Sequence, residues 1–333
     1  MKDRFQRNID YMRMSITDLC NLRCRYCMPD GMTVQKVPMS EILTYEELAE
    51  IATAGIALGI TKYKITGGEP LVRRGCTNFI RMLKEIPGIE QVTMTTNGVL
   101  LEEQAEALRA AGLDAVNVSL DTLKPEVFEK ISGVNLHHRV MAGIDAAFDA
   151  GLSVKINTVL QKGMNDEEWL SILSLAKDRP IDVRFIEMMP IGYGKQFDPI
   201  YNDDLQAALL KIYPDIKKDD RIHGNGPATY MKIPGFKGSV GFIGAMHGRF
   251  CADCNRIRLS STGKLKPCLC YGNTYDIRHI FTENPGQDSE EARNRQSMLI
   301  EAIRDAVENK PEKHCFEKLS EITEQKEMVE IGG

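Results

Sequence analysis

The chain has 333 residues, 43% of them hydrophobic, enough for one large α/β domain with an appendage or for two domains. A formal net charge of −5 argues against nucleic-acid binding, so any anion site has to come from local groups of Arg and Lys. No apolar run approaches the roughly 20 residues of a membrane span, and the charged stretch Met1–Asn8 does not read as a secretory signal, so a cytoplasmic protein is expected.

β-rich segments predict strands over Tyr11–Thr17, Tyr63–Thr66, Gln91–Thr95, Ala115–Leu120, Val154–Val159 and Ile181–Ile186. Helical patterns with recognisable ends lie between them. Thr44 followed by Glu47 is a capping box opening a helix to about Leu58, with Gly59 just past its end. Gly112 and Gly151 close two more helices, and Asn165/Asp166 open one running to about Lys177. Six β-then-α units in series predict an α/β fold with a parallel sheet, open or curled into part of a barrel. Active sites in such folds lie at the carboxyl ends of the strands. The unusual residues cluster there: Cys20–Cys27 after the first strand, Gly67-Gly68-Glu69-Pro70 after the second, Thr95–Gly98 after the third, Ser119–Asp121 after the fourth and Glu187–Pro190 after the sixth.

Beyond Pro190 the rhythm breaks. A loop over Ile191–Tyr201 leads to one helix, then to short strands around Tyr230 and Val240, a Cys-rich loop and a hairpin, and a polar helix near Ser289–Asn309. The division expected is 1–190 for the core and 191–333 for a C-terminal domain. Met328–Gly333 reads as a short polar tail ending in two glycines, for which a disordered end is the ordinary fate.

Seven of the nine cysteines fall into two groups, and in a reducing compartment that favours metal over disulfides. Cys20, Cys24 and Cys27 have the spacing C-x3-C-x2-C, so one loop supplies three thiolates. Three thiolates on a [4Fe–4S] cluster leave one iron open to chelate a small molecule. The competing reading is a zinc site with a fourth ligand elsewhere. The second group is Cys251, Cys254 and Cys268, with Cys270 two residues further on. It suits either a second three-cysteine cluster or a zinc ribbon using all four. Arg256 and Arg258 follow Cys254 directly, and with Arg13 they suggest bidentate recognition of phosphate or carboxylate. Cys76 and Cys315 have no clustered partners and are read as non-ligands.

The first motif, with Tyr26 before its third cysteine, and the Gly-Gly-Glu-Pro turn together resemble the radical S-adenosylmethionine (SAM) superfamily over about residues 11–190. That resemblance implies a partial (β/α)6 barrel, with a C-terminal α+β extension carrying the second Fe–S cluster. It also implies that the first cluster's open iron binds SAM, with Gly68, Tyr26, Ser119 and Met189 around it. Reductive cleavage of SAM would then yield a hydrogen-abstracting 5′-deoxyadenosyl radical, with the protein supplying orientation and a dry site.

Nearly the whole chain further resembles the GTP 3′,8-cyclase family of molybdenum cofactor biosynthesis. The matching segments are Arg13-Met-Ser-Ile-Thr-Asp, Phe250-Cys-Ala-Asp-Cys-Asn-Arg-Ile-Arg-Leu, Gly263-Lys-Leu-Lys-Pro-Cys268 and the terminal Ile331-Gly-Gly. The resemblance makes Cys251, Cys254 and Cys268 ligands of a second [4Fe–4S] cluster whose open iron meets guanine. It assigns Arg13, Lys62, Lys64, Thr95, Lys155, Arg184, Arg256 and Arg258 to GTP, with lysine at 64 where relatives often have arginine. No Gly-x4-Gly-Lys loop occurs, so cationic side chains from several strand ends are the alternative way to hold a triphosphate.

The same resemblance sends Gly332 and Gly333 toward the active site, where residues without side chains fit a crowded pocket. It implies a flavodoxin or ferredoxin as low-potential donor, cyclic pyranopterin monophosphate synthase as the recipient of the product, and a homodimer as a common state. Two rivals remain at this stage: a radical SAM enzyme that modifies a peptide, and a non-enzymatic zinc or iron–sulfur protein.

Overall fold

The computed structural model describes residues 1–28, 37–246, 250–282 and 289–331. Its strands are β1 (Tyr11–Ser15), β2 (Lys62–Thr66), β3 (Gln91–Thr96), β4 (Ala115–Ser119), β5 (Ser153–Val159), β6 (Asp182–Ile186), β7 (Lys217–Lys218), β8 (Thr229–Lys232), β9 (Val240–Ile243), β10 (Arg256–Leu259), β11 (Lys264–Lys266) and β12 (Tyr275–Asp276). The helices are α1 (Tyr45–Ala57), α2 (Cys76–Glu85), α3 (Leu101–Ala110), α4 (Pro125–Ser132), α5 (His137–Asp149), α6 (Trp169–Leu173), α7 (Leu175–Asp178), α8 (Asn202–Ile212), α9 (His279–Thr282) and α10 (Ser289–Glu308).

All the strands join one sheet in the order β12-β11-β10-β1-β2-β3-β4-β5-β6-β9-β8-β7. The six expected strands run parallel in sequence order, as right-handed β-α crossovers require. The C-terminal part adds a parallel strand to each flank: β10 beside β1 and β9 beside β6. The six-stranded core and its C-terminal extension therefore share one hydrogen-bonded sheet.

Alternation along the strands separates two faces. Met12, Met14, Tyr63, Ile65, Val92, Met94, Val116, Val118, Val154, Ile156, Val183 and Phe185 are fully or almost fully buried in the core beneath the helices. Leu48, Ile51, Phe79, Ile80, Leu83, Leu101, Leu108, Val140 and Ile144 meet them from the helical side. The residues between them in sequence (Arg13, Lys64, Thr95, Asn117, Asn157, Arg184, Arg256 and Arg258) face the other side. In an ordinary barrel that side would be filled with Val, Ile and Leu. Here it is polar and cationic.

Local signals account for the element ends. The Thr44 capping box forms as expected, with Glu47 N–H donating to Thr44 Oγ1 at 3.1 Å and Thr44 N–H to Glu47 Oε2 at 2.7 Å. β1 stops at Ser15, two residues before its predicted end, because the chain turns there: Leu19 N–H bonds Thr17 Oγ1. The single helix expected from Asn165/Asp166 to Lys177 is instead a 3₁₀ turn, α6 and α7. Glu168 faces inward to accept from Thr122 Oγ1 at 2.7 Å and Leu123 N–H at 3.1 Å. Ser174 Oγ bonds Ser171 C=O at 2.6 Å, where the helix breaks.

α10 lies along α1, with Leu299, Ile303, Ala306 and Val307 buried and Arg295 paired to Glu50 at 2.6 Å. The tail is ordered through Ile331. Glu327 and Glu330 form a reciprocal cap, and Val329 and Ile331 are buried. A disordered end is thus corrected as far as Ile331, because those apolar side chains find a core; Gly332 and Gly333 lie outside the described residues.

Candidate active site

A cavity of about 340 Å³ runs through the polar face of the sheet. All six predicted cluster cysteines line it, and strand direction sets their places. Cys20, Cys24 and Cys27 follow the carboxyl end of β1. Cys251 and Cys254 precede β10, which runs parallel to β1 with Arg256 opposite Tyr11. The β10–β11 hairpin pairs Arg258 with Lys266 and returns Cys268 to that same end. The two triads are therefore separated by at least the length of β1, about 13 Å at ~3.3 Å per residue.

The first triad is held from three directions. Cys20 Sγ accepts from Leu22 N–H at 3.4 Å and Asn97 Nδ2 at 3.8 Å. Cys27 Sγ accepts from the backbone N–H of Val329 in the tail. Burial pushes all three thiols up, Cys27 to about 12, with the neighbouring cysteines adding to the effect on Cys24 and Cys27. Such thiols keep their protons unless a cation is bound, which suits iron. The Gly-Gly-Glu-Pro turn closes against the cysteine loop: a Cβ on Gly68 would meet Leu19 O at 2.4 Å. Glu69 anchors it by accepting from Leu71 N–H (3.0 Å), Asn97 N–H (2.6 Å) and Thr96 Oγ1 (2.8 Å). Burial lifts Glu69 to about 7, against those three donors.

Tyr26, Gly68, Ser119 and Met189 all line the cavity at this end. Tyr26 Oη donates to Asp121 Oδ2 at 2.7 Å, and Asp121 Oδ1 accepts from Val159 N–H at 2.9 Å. Burial pushes Asp121 up to about 6 against those two bonds.

At the opposite end the second triad rests on buried cations. Arg7 donates to Cys251 O at 3.0 Å, Glu312 O at 2.7 Å, Pro311 O at 2.7 Å and Asp3 Oδ2 at 2.6 Å. Lys310 Nζ donates to Pro267 O at 2.6 Å. Burial pushes Cys254 up, but Arg256 and Lys310, with hydrogen bonds from Arg256, outweigh it and bring the thiol down to about 6. Cys270 does not line the cavity; it is buried against Cys315, Sγ to Sγ 2.7 Å. That removes the fourth cysteine of a zinc ribbon from the triad. Among the described residues no three His, Cys, Asp or Glu close on a single ion, which a cluster does not need, since its thiolates bind different irons.

Between the triads stand Arg13, Lys64, Thr95, Arg184, Arg256 and Arg258, all lining the cavity. Register puts Arg13 directly opposite both Lys64 and Arg258. Burial pulls Lys64 well below the usual lysine range, and Arg184, Arg13, Lys155 and Arg256 add repulsion. Arg13 and Arg258 are lowered too, by burial first. Arg184 Nε and Nη2 and Arg256 Nε are buried with no hydrogen-bond partner. Crowded buried cations with spare donors are costly alone and suit a polyanion.

Two predicted GTP residues are not brought into the cavity lining. Lys62 Nζ is paired with Asp10 Oδ2 at 2.7 Å. Lys155 lies outside the lining, with Nζ 5.9 Å from the ring centre of Tyr230, and burial brings it down to about 8. Sequence reasoning passed over Asn117, Asn157, Phe250 and His314, which do line it. The two asparagines were within reach, two residues from Ser119 and Lys155 and so on the same strand face. Phe250 carried the signal of its place beside Cys251; His314 had none, since only the packing of the C-terminal loops brings it to the cavity.

A parallel half-barrel with a three-cysteine loop and a Gly-Gly-Glu-Pro turn at its mouth defines a radical SAM enzyme, and residues 14–176 match the Radical SAM superfamily. Residues 181–316 match Molybdenum Cofactor Synthesis C. The GTP 3′,8-cyclase of Alkaliphilus oremlandii is 43% identical over 338 residues, and that of Clostridium perfringens strain 13 is 39% identical over 333; each match covers 100% of both chains. The chain belongs to the GTP 3′,8-cyclase family. Among solved structures, Streptococcus suis SuiB bound to S-adenosylmethionine has a TM-score of 0.61 at 15% identity, covering 86% of this chain and 68% of that one. At that identity the likeness is one of fold.

Proposed function

We propose that the chain converts GTP to (8S)-3′,8-cyclo-7,8-dihydroguanosine 5′-triphosphate, the first step of molybdenum cofactor biosynthesis. The observation that carries the reading is one cation-lined cavity with a cysteine triad at each end. Bound there, two [4Fe–4S] clusters would supply the electron that cleaves SAM, and the 5′-deoxyadenosyl radical released would abstract hydrogen from C3′ of the ribose. The protein's own part is placement and exclusion of water.

Arg13, Lys64, Arg184, Arg256 and Arg258 hold the triphosphate and ribose, Thr95 adds a hydroxyl from β3, and Lys155 tunes the field from behind. Lys62 is assigned to its ion pair with Asp10. Tyr26, Gly68, Ser119 and Met189 hold SAM. Cys20, Cys24 and Cys27 take the first cluster, and Cys251, Cys254 and Cys268 the second. Residues 1–190 form the radical-generating part and 191–333 the substrate-anchoring part.

A buried group of cations disfavours a peptide as substrate, and a cavity joining two cluster sites disfavours a mere electron carrier. No helix among the described residues is long and apolar enough to cross a membrane. We further propose a cytoplasmic homodimer that takes electrons from a flavodoxin or ferredoxin and hands its product to cyclic pyranopterin monophosphate synthase.

The test is anaerobic reconstitution with iron and sulfide, then incubation with SAM, dithionite and GTP deuterated at C3′. Deuterium in 5′-deoxyadenosine together with a cyclised GTP product supports the reading. SAM cleavage indifferent to GTP would overturn the substrate and leave the radical chemistry.

A further inference from the structure

The mechanism above leaves one buried polar group at the second triad unused. His314 is only 6% exposed and lines the cavity. Its backbone N–H donates to Cys251 Sγ at 3.5 Å, which fixes the residue beside that triad. Its ring is stacked on Phe316 at 4.5 Å and tilted against Phe250 at 5.6 Å. The backbone N–H of Phe316 donates to His314 Nδ1 at 3.3 Å. A nitrogen that accepts from a backbone amide carries no proton, so in the neutral ring the proton is on Nε2. Nε2 is buried and has no partner within the protein. A buried N–H without an acceptor is disfavoured in a folded chain and calls for an explanation. The same tautomer leaves Nε2 no lone pair for iron, so the ring is a donor and not a cluster ligand.

We infer that His314 is a specificity-determining residue whose Nε2–H donates a hydrogen bond to O6 of the guanine base held at the second triad. The inference rests on the proposed reading that GTP is the substrate, with its base at the second triad as the family resemblance implies. Guanine and adenine share the N7 acceptor but differ at position 6, where guanine presents an acceptor and adenine an amino donor. A fixed N–H beside that position satisfies guanine and confronts adenine with a second donor, so it both attracts the one and rejects the other. The two flanking phenyl rings hold the imidazole in place.

The experiment uses the reconstituted two-cluster protein and measures dissociation constants for GTP and ATP by anaerobic equilibrium dialysis. Wild type is compared with His314→Gln, which keeps a donor, and His314→Leu, which does not. Iron per chain and SAM affinity are measured on the same preparations. The expected result is that His314→Leu narrows the GTP-over-ATP preference roughly tenfold, the scale of one buried hydrogen bond. His314→Gln retains most of the preference, and iron content and SAM affinity do not change. An unchanged preference in His314→Leu at full iron content overturns the inference, as does iron lost in step with affinity, which would make the ring a packing element of the cluster site. If wild type itself binds no GTP, the cyclase reading fails first, and that outcome is distinct from both.

Discussion

The backbone N–H of Val329, near the end of the chain, donates to the Sγ of Cys27 in the loop after the first strand. Glu327 holds the tail in place by accepting from Tyr193 N–H at 2.8 Å and, with Glu330, by closing a capping box. A hydrogen bond to a cluster sulfur stabilises its reduced, more negative state, so with a cluster on Cys27 this contact would tune the redox step. Val329→Pro removes the donor at a position of a 3₁₀ turn that tolerates proline. Iron content should hold while the potential of the first cluster falls and SAM cleavage slows several-fold. Val329→Ala keeps the N–H and should keep the wild-type cluster potential. Redox titration followed by electron paramagnetic resonance checks both.

The cations of the cavity are arranged for a ligand at the expense of the free protein. Arg184→Met removes one member of a buried like-charged group whose Nε and Nη2 have no partners. The free protein should melt about 1–2 °C higher, the shift that ~1 kcal/mol produces in a chain of this size. GTP affinity should fall at least about tenfold, as expected for loss of a charge-assisted bond. Thermal melts with and without GTP read both signs at once, and a lower melting point without GTP would contradict the account.

Lys155 makes the stability of the fold depend on pH. Burial lowers it to about 8 in the folded protein, against about 10.4 when exposed. Below pH 8 both states are charged and the burial penalty is complete. Between about 8 and 10.4 the folded state loses its proton first, so this residue's contribution to stability rises with pH. Lys155→Met should remove that rise. The difference between wild-type and variant urea midpoints, measured from pH 7 to 10.5 without GTP, should narrow as pH increases.

Arg7 braces the second triad through three carbonyls and the Asp3 carboxylate, all within 3.0 Å. Arg7 and Asp3 side chains are 5% and 0% exposed, so breaking the pair leaves a buried carboxylate. Arg7→Leu should cost about 3–5 kcal/mol by that mechanism. The cysteine loop and Pro311–Glu312 lose their common anchor, so iron per chain should fall toward half, with the first cluster retained. Iron analysis and urea unfolding test the two halves of this prediction.

Cys268 and Cys270 should behave oppositely although only one residue separates them. Cys268 lines the cavity, while Cys270 is buried against Cys315 and receives Cys315 N–H at 3.2 Å. Cys268→Ser should lose the second cluster, and Cys270→Ser should keep full iron and GTP binding. Equal loss in both would restore a four-cysteine site.

By itself the sequence determined what depends on neighbouring residues. β-rich segments placed the six core strands, and cysteine spacing with the Gly-Gly-Glu-Pro turn marked the candidate loop for a first cluster, because such signals are written within a few residues of one another. Only the tertiary structure decided that β9 and β10 extend the same parallel sheet, since strands of four residues carry no mark of their partners. It separated Lys64 from Lys62 on one strand: Asp10 captures the second, while the first stands beside Arg13 on the cavity face of the sheet. It turned Cys270 away from Cys268 and brought Val329 and His314 to the two triads. Those contacts join residues distant along the chain, and no local propensity records them. They follow from where the sheet ends and which loops pack across its mouths.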